Sequence, residues 1–366
     1  MRKKESLQPG DLLAEYQAED SHSKRLGRYS SCKHRALIVA EILAKEPSYV
    51  KYYRKLKSCG DWLLYRNFYR LDLRRLIGGI HCDQHLLCPL CAIRRAARFM
   101  RSYSEKLNFV LSENKNLRPY LITLTVKNGF DLTERFLHLQ KSLRKMISRR
   151  RKRLSTGRGT KTVLMYVKGA VWTYEVTYSE KGWHPHVHMI ALSEEPISVQ
   201  ELRSEWFDLT GDSWVVDSRP IESYSQDDLI PALLEVFKYA VKLSGLPPEK
   251  QIEVWSNLKG RRLLGSFGCL WGVKVPSFKV DEIEEQLKDE PYVDEVYRYF
   301  SSGYQLSSCV KLPRDLSGIY CASLRKPGSP WGAEGGSGQS SSSFFSLVAN
   351  AAADLEKKSL TAEGEP

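Results

Sequence analysis

The sequence predicts an α+β protein, and three observations predict it. First, the β-rich run Tyr166–Tyr178 is followed by the turn residues Glu180-Lys181-Gly182 and a second alternating run, Trp183–Ile190, which together read as an antiparallel hairpin. Second, Pro119–Val126 alternates like a strand and ends at Asn128-Gly129. Third, helical periodicity runs through Ala92–Val110, Asp131–Ile147 and from Asp228 to about Leu243. Antiparallel strands interspersed with amphipathic helices belong to the α+β class.

Composition narrows the partner. The 366 residues carry 56 Lys and Arg against 43 Asp and Glu, a net charge of +13. The excess is concentrated: between Arg94 and Lys161 there are 19 basic residues and 4 acidic. That distribution points to a polyanion, with nucleic acid first. No run of about 18 apolar residues exists, so no membrane span is expected. The basic start Met1-Arg2-Lys3-Lys4 leads into Glu5-Ser6-Leu7-Gln8-Pro9, so no secretory signal is expected and the location reads as cytoplasmic.

In chain order, residues 1–58 read as an N-terminal helical region, with Ala36–Ala44 apolar enough to pack and Pro47 as its stop. Residues 59–100 read as a zinc-binding module. Cys88-Pro89-Leu90-Cys91 is a CxxC knuckle preceded by Cys82 and Cys59, and four thiolates suit a tetrahedral structural zinc. His81 or His85 is an alternative to Cys82. No βαβ pattern surrounds the knuckle, which disfavours a redox role. The following helix carries Arg94, Arg95, Arg98 and Arg101 near one side, divided between a solvated face and phosphate contacts.

After the helix Asp131–Ile147, Arg149, Arg150, Arg151, Lys152 and Arg153 lead into Leu154–Gly159 and read as a basic flexible loop that clamps a DNA backbone. His184, His186 and His188 then recur at period two, so they share one face of a strand while Trp183, Val187 and Met189 take the other. A row of imidazoles on a rigid element is a divalent-metal signal. With a loop at Ser179–Gly182, Glu175 falls opposite His186 and becomes the third ligand, with His184 as its rival. Two imidazoles and a carboxylate suit magnesium or manganese and leave positions for phosphate oxygens. Farther on, Glu235, Tyr239 and Lys242 line one side of a helix, and beside a metal hairpin a tyrosine is the expected nucleophile toward phosphate.

Three of these pieces together resemble the single-tyrosine replication initiators of small rolling-circle plasmids, in the HUH endonuclease superfamily. They are the strand Leu121–Val126, then His186-Val187-His188 before two apolar residues, then Glu235-x-x-Lys238-Tyr239-x-x-Lys242. With the cysteine knuckle ahead of them they span Cys59–Lys242, about half of the chain. The resemblance implies an HUH endonuclease-like antiparallel sheet flanked by helices over 101–245. It also implies metal-dependent nicking and closing of single-stranded or extruded origin DNA through a 5′-phosphotyrosyl link at Tyr239, freeing a 3′-OH primer. In that scheme Lys242 stabilises charge, Glu235 activates water at termination, and a host helicase is recruited. A transposase or relaxase shares the chemistry; a non-catalytic zinc-containing DNA-binding regulator is the reading from another class.

Residues 246–325 read as a C-terminal accessory region. Within it Leu258–Gly268 is basic and glycine-rich without P-loop spacing, and Asp281–Phe300 is an acidic polar segment turned away from DNA. Cys269, Cys309 and Cys321 read as packing residues. Residues 326–366 read as a flexible low-complexity tail.

Overall fold

The computed structural model describes residues 9–17, 21–221, 226–275 and 285–310. The 326–366 tail and Cys321 lie outside them. In chain order the elements are α1 (Pro9–Gln17), α2 (His22–Leu43), α3 (Val50–Ser58), β1 (Trp62–Phe68), β2 (Leu73–Gly79) and α4 (Pro89–Glu113). There follow β3 (Arg118–Thr125), α5 (Leu132–Thr156), β4 (Val167–Ser179), β5 (Gly182–Ser193), α6 (Val199–Thr210) and β6 (Val216–Pro220). The last are α7 (Gln226–Phe237), α8 (Tyr239–Leu243), α9 (Pro248–Leu258), β7 (Leu264–Gly268), β8 (Val293–Phe300) and β9 (Gly303–Val310). They form two compact units, Met1–Cys59 with His81–Ser277, and Gly60–Ile80 with Phe278–Pro366.

The larger unit is built on a five-stranded antiparallel sheet in the order β6-β3-β5-β4-β7. Its core follows from alternation. On β3, Tyr120, Ile122 and Leu124 are buried, whereas Leu121, Thr123 and Thr125 are half-buried. The long hairpin β4–β5 is buried along most of its length, because α5 packs on β5 from one face while α7 and α8 pack on β5 and β4. Phe136 of α5 meets Tyr174 of β4 edge to face at 5.4 Å.

Helix α5 shows how local signals set an element. The Asp131 carboxylate accepts from the Glu134 backbone N–H at 3.0 Å and caps its start. Leu132, Phe136, Leu139, Leu143 and Met146 form its buried stripe, and Gly157 ends it at φ +68°, a conformation that favours glycine. The helix continues through Arg149–Arg153, which corrects the expected basic loop. Arginine and lysine are good helix formers, and the nearest breaker is Gly157. Three of the five side chains also serve the fold. Arg149 pairs with Asp208 at 2.7 Å, and Arg153 donates to the Gly159 carbonyl at 2.8 Å. Arg150 donates to the carbonyls of Leu164 and Val167 at 3.1 Å and lies over the Phe267 ring. Arg151 and Lys152 are exposed.

A substitution separates the two kinds of basic residue. Arg150→Ala should lower unfolding stability by about 1–3 kcal/mol by stranding two carbonyls, whereas Arg151→Ala and Lys152→Ala should stay within about 0.5 kcal/mol. Urea unfolding measures both, and equal effects would contradict the fold-supporting role of Arg150.

The smaller unit is a four-stranded antiparallel sheet, β2-β1-β8-β9. The acidic stretch expected to turn away from DNA contributes β8, one of the two inner strands of this sheet. Glu295 is only 1% exposed there, accepting from Asn67 and Arg74 and from the Tyr297 hydroxyl. Arg66 binds Asp294 through two nitrogens at 2.9 and 3.0 Å. Opposite charges on paired strands thus make a polar-looking segment a sheet interior. Among the described residues no helix is long and apolar enough to cross a membrane.

Candidate active site

Strand pairing creates the site. Ser179 pairs with Gly182 across the two-residue turn Glu180-Lys181, which sets Glu175 opposite His186 and Thr173 opposite His188. Glu175, His186 and His188 are buried, and their ligand atoms lie within 4.8 Å of one another. His186 Nε2 is 3.4 Å from Glu175 Oε1, and His188 Nε2 is 3.6 Å from Glu175 Oε2. His184 is adjacent but outside this group: its ring stacks on His186 with centroids 5.3 Å apart, and its Nδ1 meets Asn128 Oδ1 at 2.7 Å. The structure therefore groups Glu175, and not His184, with the other two.

The donor set fits a divalent cation. His186 Nδ1 donates to the His184 carbonyl at 3.1 Å, which orients the ring with Nε2 toward Glu175 as the ligand nitrogen. His188 Nδ1 meets the Thr123 hydroxyl at 3.2 Å. Glu175 Oε2 and His188 Nε2 are buried without a hydrogen bond. Two facing, buried ligand atoms that make no hydrogen bond are what a bound cation would satisfy. Burial pushes the Glu175 carboxyl up, but the hydrogen bond and charge of His186, with Lys242, hold it down at about 2. Burial, with His186 and Lys238 nearby, lowers His188 against the pull of Glu175 and Glu235. Both residues are in their metal-binding protonation states at neutral pH.

Helices α7 and α8 bring more charge to this face. Glu235 Oε1 is 3.3 Å from His188 Nε2, and the Lys238 ammonium pairs with Glu235. The Lys242 ammonium donates to Glu175 Oε1 at 2.5 Å. Burial alone would depress Lys242, but the charge and hydrogen bond of Glu175 raise it. The single helix expected from Asp228 to Leu243 is broken at Lys238. The Thr173 hydroxyl donates to the Val236 carbonyl, and a side chain inserted into the helical ladder bends it there.

Tyr239 opens α8 and is 6% exposed. Its ring meets His85 edge to face, centroids 6.4 Å apart. Burial raises the phenol above its ordinary range, while the charge and hydrogen bond of Arg95 act in the opposite direction. Tyr239 thus faces the His85 ring, whereas Glu235 and Lys242 contact the triad directly and Lys238 pairs with Glu235.

The four cysteines also converge. Sγ separations are 3.6 Å for Cys59–Cys88, 3.7 Å for Cys59–Cys91 and 3.6 Å for Cys82–Cys91. Tetrahedral ligation at about 2.3 Å places sulfurs about 3.8 Å apart, so the set fits zinc closely. Hydrogen bonds from Cys59, Cys82 and Cys88 outweigh burial and lower Cys91 toward its thiolate. Cys82 completes the set; His81 meets Arg94 instead at 3.2 Å. The irregular gap between Cys59 and Cys82 holds the hairpin β1–β2.

The Rep_1 family, described as replication protein, matches residues 73–298, more than half of the chain. The chain belongs to that family. One relative, Protein rep of Streptococcus pneumoniae serotype 2, is 25% identical over 245 residues, covering 58% of this chain and 68% of the relative. Protein rep of Lactiplantibacillus plantarum is 24% identical over 266 residues, covering 66% of this chain and 80% of the relative. No solved structure matches.

The Rep_1 match contains the Glu175–His186–His188 group, Glu235, Tyr239, Lys242 and three of the four cysteines; Cys59 precedes it. Sequence reading of this Rep_1 chain assigned no role to Lys238, Thr123 or Thr173. The signal for Lys238 was its place one turn after Glu235. For the two threonines it was alternation, because Thr123 and Thr173 pair with His188 and so share its face.

Proposed function

We propose that this Rep_1 protein is a plasmid rolling-circle replication initiator that nicks and closes origin DNA at a single tyrosine. The observation that carries the reading is the buried Glu175–His186–His188 group with Glu235, Lys238 and Lys242 brought onto it by α7 and α8. A divalent cation, magnesium or manganese, would be held by Glu175 Oε2 and the two Nε2 atoms and would supply Lewis-acid charge next to a phosphate oxygen. Zinc, held by Cys59, Cys82, Cys88 and Cys91, would be structural.

The chain's own groups then divide the work. The Tyr239 oxygen, having lost its proton, attacks phosphorus; the P–O3′ bond breaks, and the 3′ oxygen takes a proton and becomes the free 3′-OH primer. The product is a 5′-phosphotyrosyl link. Lys242 offsets charge on the phosphate, a role supported by its position against Glu175. Glu235 takes a proton from water at termination, so that hydrolysis releases the final strand; its place 3.3 Å from His188 Nε2 supports this role. The exposed Arg151 and Lys152 are the members of the Arg149–Arg153 run free to contact the DNA backbone. Origin DNA is the substrate, and a host helicase supplies the unwinding.

The test incubates the protein with 5′- and 3′-labelled single-stranded origin oligonucleotides, with manganese or with chelator, followed by a denaturing gel. The expected product is a manganese-dependent covalent adduct retaining the 5′ end of the downstream strand. Tight binding to a verified origin without cleavage would instead favour a zinc-containing DNA-binding regulator.

A further inference from the structure

Both glutamates at the triad are already matched by a lysine. Glu175 Oε1 accepts from the Lys242 ammonium at 2.5 Å and lies 3.4 Å from His186 Nε2. Its other oxygen, Oε2, faces His188 Nε2 at 3.6 Å and makes no hydrogen bond. Glu235 repeats the pattern, with Oε1 3.3 Å from His188 Nε2 and Oε2 against the Lys238 ammonium. Each carboxylate thus gives one oxygen to an ammonium and turns the other toward His188.

This pairing decides how a cation is received. Two carboxylates and two ammoniums cancel, and imidazoles bind a metal in their neutral form, so the cluster is formally neutral before a metal enters. A divalent cation therefore leaves two positive charges uncompensated, beside a carboxylate that is only 1% exposed and where water screens poorly. Lys242 sits on a ligand carboxylate itself, and its side chain is 36% exposed against 9% for Lys238. A DNA phosphodiester carries one negative charge, and placed against this cluster it removes half of the surplus.

We propose that Lys242 is an internal counter-cation that keeps the site weak for a divalent metal until DNA phosphate arrives, so that metal and DNA bind as a pair. The inference rests on Glu175, His186 and His188 holding a divalent cation. By occupying Glu175 Oε1, Lys242 weakens that carboxylate as a ligand and repels the incoming charge. A bound phosphate offsets that repulsion, and by reciprocity the metal strengthens DNA binding by the same factor. Metal loading is thereby tied to the substrate.

The test titrates manganese, read by the electron paramagnetic resonance signal of the free ion, into full-length wild type, Lys242→Met and Lys242→Arg without DNA. Lys242→Met should bind manganese at least about tenfold more tightly than wild type, because the repelling charge is gone and Glu175 Oε1 is released. Lys242→Arg keeps the charge and should stay within about threefold of wild type. The titrations are repeated with a single-stranded origin oligonucleotide in a Tyr239→Phe background, which keeps the strand intact. The oligonucleotide should tighten manganese at least about tenfold, and by a smaller factor when Lys242→Met is added. Melting temperature and zinc content verify that each variant is folded. Affinity unchanged or weakened in Lys242→Met, or manganese binding indifferent to the oligonucleotide, would overturn the counter-cation. Manganese binding that survives unchanged in His186→Ala would instead overturn the metal site beneath it.

Discussion

Tyr239→Phe is expected to lower covalent adduct formation by more than about 10³-fold while leaving oligonucleotide binding within about twofold. The substitution removes one oxygen and keeps the ring that meets His85 edge to face. Nothing else is asked to change, so affinity should survive while the bond-forming atom is lost. Stability should fall by no more than about 1.5 kcal/mol, the scale of one lost hydrogen bond, because the buried ring and its packing against His85 are kept. Denaturing gels with 5′- and 3′-labelled substrate read the adduct, and urea unfolding reads the stability. An adduct of wild-type yield in Tyr239→Phe would move the nucleophile to another residue.

Cys88→Ser carries the other large effect. Bound zinc should drop from one ion per chain to none by elemental analysis, and the larger unit should lose several kcal/mol of stability. Structural zinc contributes about 10–16 kcal/mol of apparent binding free energy in small zinc peptides, and a folded module recovers part of that loss from its own packing. The packing here is appreciable: Cys59, Cys88 and Leu87 are fully buried, and Gln251 clamps the loop. Cys32→Ser and Cys269→Ser serve as controls, since neither belongs to the set whose sulfurs converge. Zinc retained in Cys88→Ser, or lost equally in Cys32→Ser, would reject the tetrathiolate site.

Alternation and short spacing are local properties, and what rests on them was legible in the sequence. Period two placed His186 and His188 on one face of a strand. The two-residue turn at Glu180-Lys181 carried the register far enough to set Glu175 opposite His186. The CxxC pair announced the cysteine site, and its outer members Cys59 and Cys82 joined it despite the hairpin inserted between them. The amphipathic stripe of α5 was visible, but its end was not. A basic run reads as solvated loop until the carbonyls of Leu164 and Val167 are found waiting for Arg150.

Contacts between residues far apart in the chain had no local signature. The pairing of β1 with β8 joins Arg66 to Asp294 and Asn67 to Glu295 across 228 residues, and neither strand alternates clearly enough alone. The approach of Lys242 to Glu175 spans 67 residues. Helical spacing put Glu235, Tyr239 and Lys242 on one side of a continuous helix. The break at Lys238, where Thr173 of β4 bonds the Val236 carbonyl, and the packing of Tyr239 against His85 divided them instead. The sequence by itself determined which residue types meet on each strand and in the cysteine knuckle, because backbone periodicity dictates that within a few residues. Only the tertiary structure decided what faces Tyr239, because a buried phenol's partner is chosen by the packing of helices that local sequence does not encode.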